Sequence, residues 1–257
     1  PTPTPTPTPN PSKPELGNGN YDVVGDELVG TVPENAASVY DGYFYLDNVV
    51  MGTIQAKVAK PKKGVGKLTV TIQIIGEKKL TLKGELDLNL GEFIATDKKS
   101  GRVLILKFVS KGISGSFGKY DIDGARNFFD SKDKSEKATV EEILKPYLGA
   151  YSMSSDGGIL SVTIAKKGKV TIKGSINGNK VSAKAQALIG EKMICIPVIY
   201  SKKSVNLAFT IWILITGGNA EIIGLDGDPV IGKAGKLKEG AKFIIDGDIG
   251  ASIETED

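Results

Sequence analysis

From Tyr40 onward the chain alternates apolar and polar residues in short runs separated by glycines. Clear examples are Gly52–Val58 (GTIQAKV), Lys67–Ile75 (KLTVTIQII), Lys79–Leu86 (KLTLKGEL) and Arg102–Val109 (RVLILKFV). A period of two puts every second side chain on one face, and Val, Ile, Thr and Leu suit a half-buried pleated surface. The connectors IIGEKK and SINGNK each carry one glycine where a tight hairpin needs positive φ. The pattern predicts an antiparallel meander, with the folded region beginning near Tyr21 or Val39.

The pattern then returns. GKLTVTIQIIGEK at 66–78 aligns with GKVTIKGSINGNK at 168–180, with Gly, Lys, Thr, Ile, Gly and Lys identical at matching places. The same offset pairs Val103 with Val205 and Ile105 with Leu207. Upstream, Tyr40-Asp-Gly pairs with Tyr147-Leu-Gly after a shift that fits a shorter loop, AKKGK in place of AKPKKGVGK. These matches predict an all-β protein: two related antiparallel β-barrels or strongly curled sheets from an internal duplication, with a short helical connector. The modules are placed at 21–120 and 147–257, and the connector at 121–146. The pattern leaves open whether the copies form separate barrels or share one composite sheet.

In the connector the period changes. Thr139 followed by Glu142 reads as a capping box, and Val140, Ile143, Leu144 and Tyr147 recur at helical spacing. A helix is expected near Thr139–Lys145, stopped by Pro146, with a second turn near Ala125–Phe129. At the other extreme, residues 1–20 begin PTPTPTPTP. Alternate prolines favour an extended rod over helix or sheet, so this is read as a linker. A chain that opens on proline reads as a processed protein or as a piece of a longer one.

Composition narrows the chemistry. Across 257 residues, 33 basic and 30 acidic side chains leave a net charge of +3, which argues against a dedicated nucleic-acid binder. There is no histidine, so the commonest general base and zinc ligand are missing. The single cysteine, Cys195, lies in the apolar run MICIPVIY and reads as a buried thiol. No apolar run is long enough for a membrane-spanning helix.

The Pro-Thr tract resembles linkers in secreted bacterial proteins. Tyr40, Gly42, Gly52-Thr-Ile, Gly66-Lys67 and Gly76, with Tyr147, Gly149, Leu160-Ser-Val-Thr-Ile, Gly168-Lys169 and Gly178, carry a wider likeness over roughly 40–230. They resemble tandem β-rich modules of large secreted or surface proteins of Gram-negative bacteria. That resemblance implies an extracellular or cell-surface location and carries no activity with it.

Candidate chemistry is sparse. Carboxylates at strand ends or turns, Asp41, Asp47, Glu85, Asp87 and Glu92, could supply the acid pair of a glycosidase, though none is singled out. Asp121-Ile-Asp123-Gly124, Asp226-Gly-Asp228 and Asp246-Gly-Asp248 have calcium-like spacing and are equally ordinary turns. No cofactor or metal is assigned. Tyr40, Tyr43 and Tyr45 form the one dense aromatic cluster, and alternation puts Tyr43 and Tyr45 on one face as a candidate sugar platform. Trp212, in FTIWILI, is expected in the core. Lysines alternating along strands (Lys57, Lys60, Lys62, Lys63, Lys166, Lys167, Lys169, Lys173) read as a wet face, with an acidic polymer as an unforced partner. Ile72, Ile74, Leu80 and Leu82 would line a void if a barrel enclosed an apolar ligand.

The leading expectation is a non-catalytic extracellular structural or adhesion module of a larger protein, meeting a polysaccharide or surface-protein partner. The second is a carbohydrate-binding module tethered by the Pro-Thr linker to a polysaccharide-degrading enzyme, with Tyr40, Tyr43 and Tyr45 as its site.

Overall fold

The computed structural model describes residues 37–223 apart from 47–48, 110–111, 132, 156–157, 177–178, 190–192, 203–204 and 217–218. Val32 and residues 231–234, 242–244 and 252–254 are described as well. The Pro-Thr tract, Asp47, Gly178, and the turns at Asp226–Asp228 and Asp246–Asp248 lie outside the described residues.

The alternating runs become strands, and the protein is mostly β. β1 (Ser38–Leu46), β2 (Val49–Val58), β3 (Val65–Ile74), β4 (Leu80–Asp87), β5 (Glu92–Thr96), β6 (Val103–Val109), β7 (Gly112–Phe117) and β8 (Tyr120–Arg126) pair each with the next, antiparallel. β8 returns to β1, with Tyr40 opposite Arg126 and Tyr43 opposite Asp123, and closes a barrel. Eight strands enclose a space that side chains can fill. Tyr40, Phe44, Ile54, Leu68, Leu104 and Phe117 are among those that fill it, each at most 2% exposed. Ile72 and Ile74 belong to the same core, and Leu80 and Leu82 pack half-buried against it, so all four serve in packing.

One seam of the barrel is uneven. β4 and β5 share a single residue pair, Asp87 with Glu92, beside their turn. Beyond it the strands diverge, and the Phe93 ring leans over Gly84; a Cβ at Gly84 would stand 2.6 Å from Phe93 Cε2. At the far end Arg102 donates two hydrogen bonds to Glu77, at 2.9 and 2.5 Å, joining the β5–β6 turn to the β3–β4 turn. The same guanidinium lies 4.5 Å from the centre of the Phe117 ring. A bidentate, ring-stacked arginine holds a fixed geometry that a lysine could not.

The second half is arranged differently. β9 (Gly149–Ser155), β10 (Gly158–Ile164), β11 (Lys169–Ile176) and β12 (Asn179–Gln186) form a meander extended beyond β9 by β18 (Lys242–Ile244) and β19 (Ser252–Glu254). A second sheet runs β13 (Leu188–Ile189), β14 (Met193–Lys202), β15 (Val205–Thr216), β16 (Asn219–Ile223) and β17 (Ile231–Ala234).

The registers of the two halves correspond over their first strands. Val58 pairs with Leu68 and Ile164 with Val170. Ala59 N–H donates to Lys67 O and Ala165 N–H to Lys169 O, both at 2.8 Å. Each intervening loop turns on a Lys-Gly pair with positive φ: Lys63 (53°) and Gly64 (78°), then Lys167 (65°) and Gly168 (64°). Tyr40 pairs with Ala56 and Tyr151 with Val162, two residues before Val58 and Ile164. In hydrogen-bond register Tyr151 stands where Tyr40 does, and Tyr147 lies four residues earlier in a 3-10 turn. Further on the match is lost. Thr96 pairs with Val103 across a hairpin loop of six residues, whereas Lys202 pairs with Val205 across two.

The helix α1 runs Lys134–Leu144, five residues earlier than its apolar spacing indicated. Asp133 caps it, accepting from Ser135 N at 2.7 Å and Glu136 N at 3.4 Å. Thr139 sits inside it and donates to Ser135 O at 3.0 Å, so the expected capping box does not form. The first turn is all polar, which hid it from periodicity. A 3-10 turn follows at Lys145–Tyr147, accommodating Pro146, and another lies at Phe128–Asp130. Val140, Leu144 and Tyr147 pack with both sheets of the second half and with Tyr43, Val50 and Ala125 from the outside of the barrel. No helix among the described residues is long and apolar enough to cross a membrane.

Candidate functional site

β1 is buried on both faces. Tyr40 and Phe44 point into the barrel, where Tyr40 meets Phe108 edge-on with ring centres 4.9 Å apart. Asp41, Tyr43 and Tyr45 point the other way, toward the second half. Tyr43 and Tyr45 do share a face, with ring centres 5.8 Å apart, but that face is an internal contact surface. Tyr40 and Tyr43 are 0% exposed and Tyr45 is half-buried. Of the expected sugar platform of Tyr40, Tyr43 and Tyr45, the first two are withdrawn from solvent and Tyr45 alone keeps part of its surface exposed. Two cores compete for one aromatic strand, and together they bury it.

The same face gathers the buried polar groups. Asp41 accepts from Gln55 Nε2 at 2.7 Å and from Asn127 Nδ2 at 2.8 Å. Asn127 also caps the turn that follows it, accepting from Phe129 N at 3.1 Å. Two residues along, Tyr43 Oη donates to Asp123 Oδ2 at 3.0 Å, and Asp123 Oδ1 accepts from Gly124 N. Burial raises the pKa of both carboxyls against these hydrogen bonds, that of Asp123 to about 6. Beside them Arg126 reaches Glu136 of α1 at 3.1 Å and lies 4.7 Å from the Phe128 ring centre. Ser131 Oγ donates to the same Glu136 oxygen.

A cavity of about 10 Å³ opens here, lined by Asp41, Asn127, Phe129, Val140 and Leu188 among others. That is at most room for one water, and no sugar ring fits beside Asp41. Of the other carboxylates, Asp87 and Glu92 come together across the β4–β5 turn. Asp87 accepts from Asn89 N at 2.8 Å, and Glu92 lies 3.8 Å from Lys107 Nζ. Glu85 is exposed on the outside of β4. Asp121 and Asp123 take opposite exposures on β8, exposed and buried. Among the described residues no group of three or more Cys, Asp or Glu side chains gathers to hold a metal. Cys195 is fully buried. The side chain of Trp212 lies outside the described residues; its backbone pairs with Cys195 between the buried Ile211 and Ile213.

Asn127, Gln55 and Arg126 escaped the sequence reading. The available signal was β1 itself, where tyrosine and phenylalanine at adjacent positions mark a strand covered on both sides, so an acid within it must find donors. Comparison of the chain with family models, with curated proteins and with solved structures returned no match.

Proposed function

We propose that the chain is a non-catalytic structural or adhesive module of a larger secreted or surface protein. The observation that carries this reading is the burial of Asp41, Asp123, Tyr40 and Tyr43 in packing. Asp41 answers to an amide on β2 and another just past β8, Asp123 answers to a phenol on β1, and the tyrosine cluster joins two cores. The Pro-Thr tract and the resemblance to secreted β-modules support an extracellular setting. We read the two halves as copies of one four-stranded meander. The matched Lys-Gly turns and the registers of the first strands favour this.

A glycan array probed with the full chain and with Tyr45→Ala tests the reading. Binding by the native chain that Tyr45→Ala abolishes would move a sugar site to the half-buried tyrosine and displace the packing interpretation. Equal behaviour of the two proteins leaves the tyrosines as structural groups.

A further inference from the structure

Between Gly157 and Gly190 the sequence has six lysines and no Asp or Glu. Four of them stand on one face. The pleat buries Val162, Ile164, Val170, Ile172, Val181 and Ala183 and turns the intervening residues to solvent. Lys169 and Lys173 on β11 are exposed, as are Lys180 and Lys184 on β12. Lys184 pairs opposite Thr171 and Lys180 opposite Ser175. Along the strand axis the cations thus alternate between β11 and β12, one every two residues, or about 7 Å. Exposed Ser161, Thr163 and Ser182 lie among them. No ion pair among the described residues engages any of the four.

The fold does not demand this arrangement. On the corresponding strands of the barrel Lys67 stands opposite Glu85, whereas Lys169 stands opposite Gln186. Across the β11–β12 pair the four lysines face Gln186, Ser182, Thr171 and Ser175 rather than carboxylates, with Lys169 alone sensing the buried Asp41, and an anionic partner would supply the missing counter-charge.

We propose that the outer face of β10–β12 docks a linear acidic polysaccharide, with Lys169, Lys173, Lys180 and Lys184 as its row of cationic contacts. Lysines act as point charges on a flexible anion, and the serine and threonine hydroxyls between them match the hydroxyls of a sugar chain. The sequence from Gly158 to Gln186 contains no aromatic residue on which a base could stack. Among the described residues the one large apolar side chain exposed on this face is Ile159, at 51%, too little to anchor in lipid. This deepens the adhesive reading and rests on it for its biological setting.

The test is retention of the full chain on immobilised polygalacturonate, with the fully methyl-esterified polymer as the uncharged comparison. The native chain is expected to bind at low salt and to elute as salt rises. K169Q/K173Q/K180Q/K184Q should lose about tenfold or more in affinity, and the matching Lys→Arg variant should retain it. K57Q/K67Q/K83Q on the barrel should bind as the native protein does. Equal binding by the four-glutamine variant, or equal loss in the barrel variant, would overturn the proposal. Equal affinity for the esterified polymer, or tighter binding to single-stranded DNA or to anionic vesicles, would overturn it too. Reducing ends released from the polymer would sink the non-catalytic reading while leaving the docking face in place. Absence of binding without cleavage does the reverse.

Discussion

Tyr43 and Asp123 stand directly opposite each other on β1 and β8, and the phenol donates to the carboxylate at 3.0 Å inside the contact between barrel and second half. Tyr43→Phe removes that donor from a buried acceptor and should destabilise the protein by about 1–3 kcal/mol. Chemical denaturation near neutral pH measures it. A loss within error would mean that water serves Asp123 as well as the phenol does.

The raised pKa of Asp123, about 6, sets a pH dependence. Between the ordinary carboxyl range and about 6 the folded protein keeps a proton that the unfolded chain has released. This group's contribution is therefore full below the ordinary range and is lost as pH rises through 6, by at most about 3 kcal/mol. Asp41 is shifted the same way by burial. Asp97 and Asp133 are shifted down by local hydrogen bonds, so their contributions are lost as pH falls. Comparing native and Asp123→Asn proteins by denaturation on both sides of the window isolates the one group. The substitution should flatten the decline; an unchanged slope would assign it elsewhere.

Arg126 and Glu136 tie the barrel to α1 with side chains only 7% and 17% exposed. Arg126→Ala leaves a carboxylate buried and should cost about 3–5 kcal/mol, while replacing both by apolar residues of similar size should cost much less. A double-mutant cycle in thermal denaturation separates the two outcomes, and strict additivity would show that the pair is uncoupled.

Lys63 and Lys167 hold positive φ at the same point of two hairpins. Glycine takes that conformation without steric penalty, so Lys63→Gly and Lys167→Gly should each be neutral or stabilising, by up to about 1 kcal/mol. Destabilisation at either position would reveal a contact made by that lysine side chain.

The single-pair seam between β4 and β5 should be where the barrel opens first. Amides of β4 that face β5 are expected to exchange hydrogen before those of β2 and β3. Gly84→Ala, which drives a methyl against Phe93, should cost about 1–3 kcal/mol. Uniform protection around the barrel would contradict the first expectation.

Much of the architecture was legible because it rests on local rules. Period-two runs such as GTIQAKV and RVLILKFV are strands, and the repeated Lys-Gly loops turn where glycine and a short connector demand it. What escaped depends on which faces meet. Alternation correctly placed Tyr43 beside Tyr45, yet it carries no information on whether that face looks at water or at another sheet. The start of α1 was missed because Asp133 and a polar turn define it, with no apolar residue to mark the period. Tyr-x-Gly spacing joins Tyr40 to Tyr147, whereas in hydrogen-bond register Tyr151 stands where Tyr40 does, a relation that spacing does not encode.

A strand claimed by two interiors is a party wall. Removing everything after Asp130 would leave the barrel's own packing complete and still strip the cover from Tyr43, Val50, Ala125 and the Asp123 carboxyl, whose ionisation burial disfavours. Neither half then owns a finished surface along that wall. Calorimetry of the whole chain should accordingly record one melting event for both halves, and a sequence change in the second half can make the barrel insoluble without touching any residue in it.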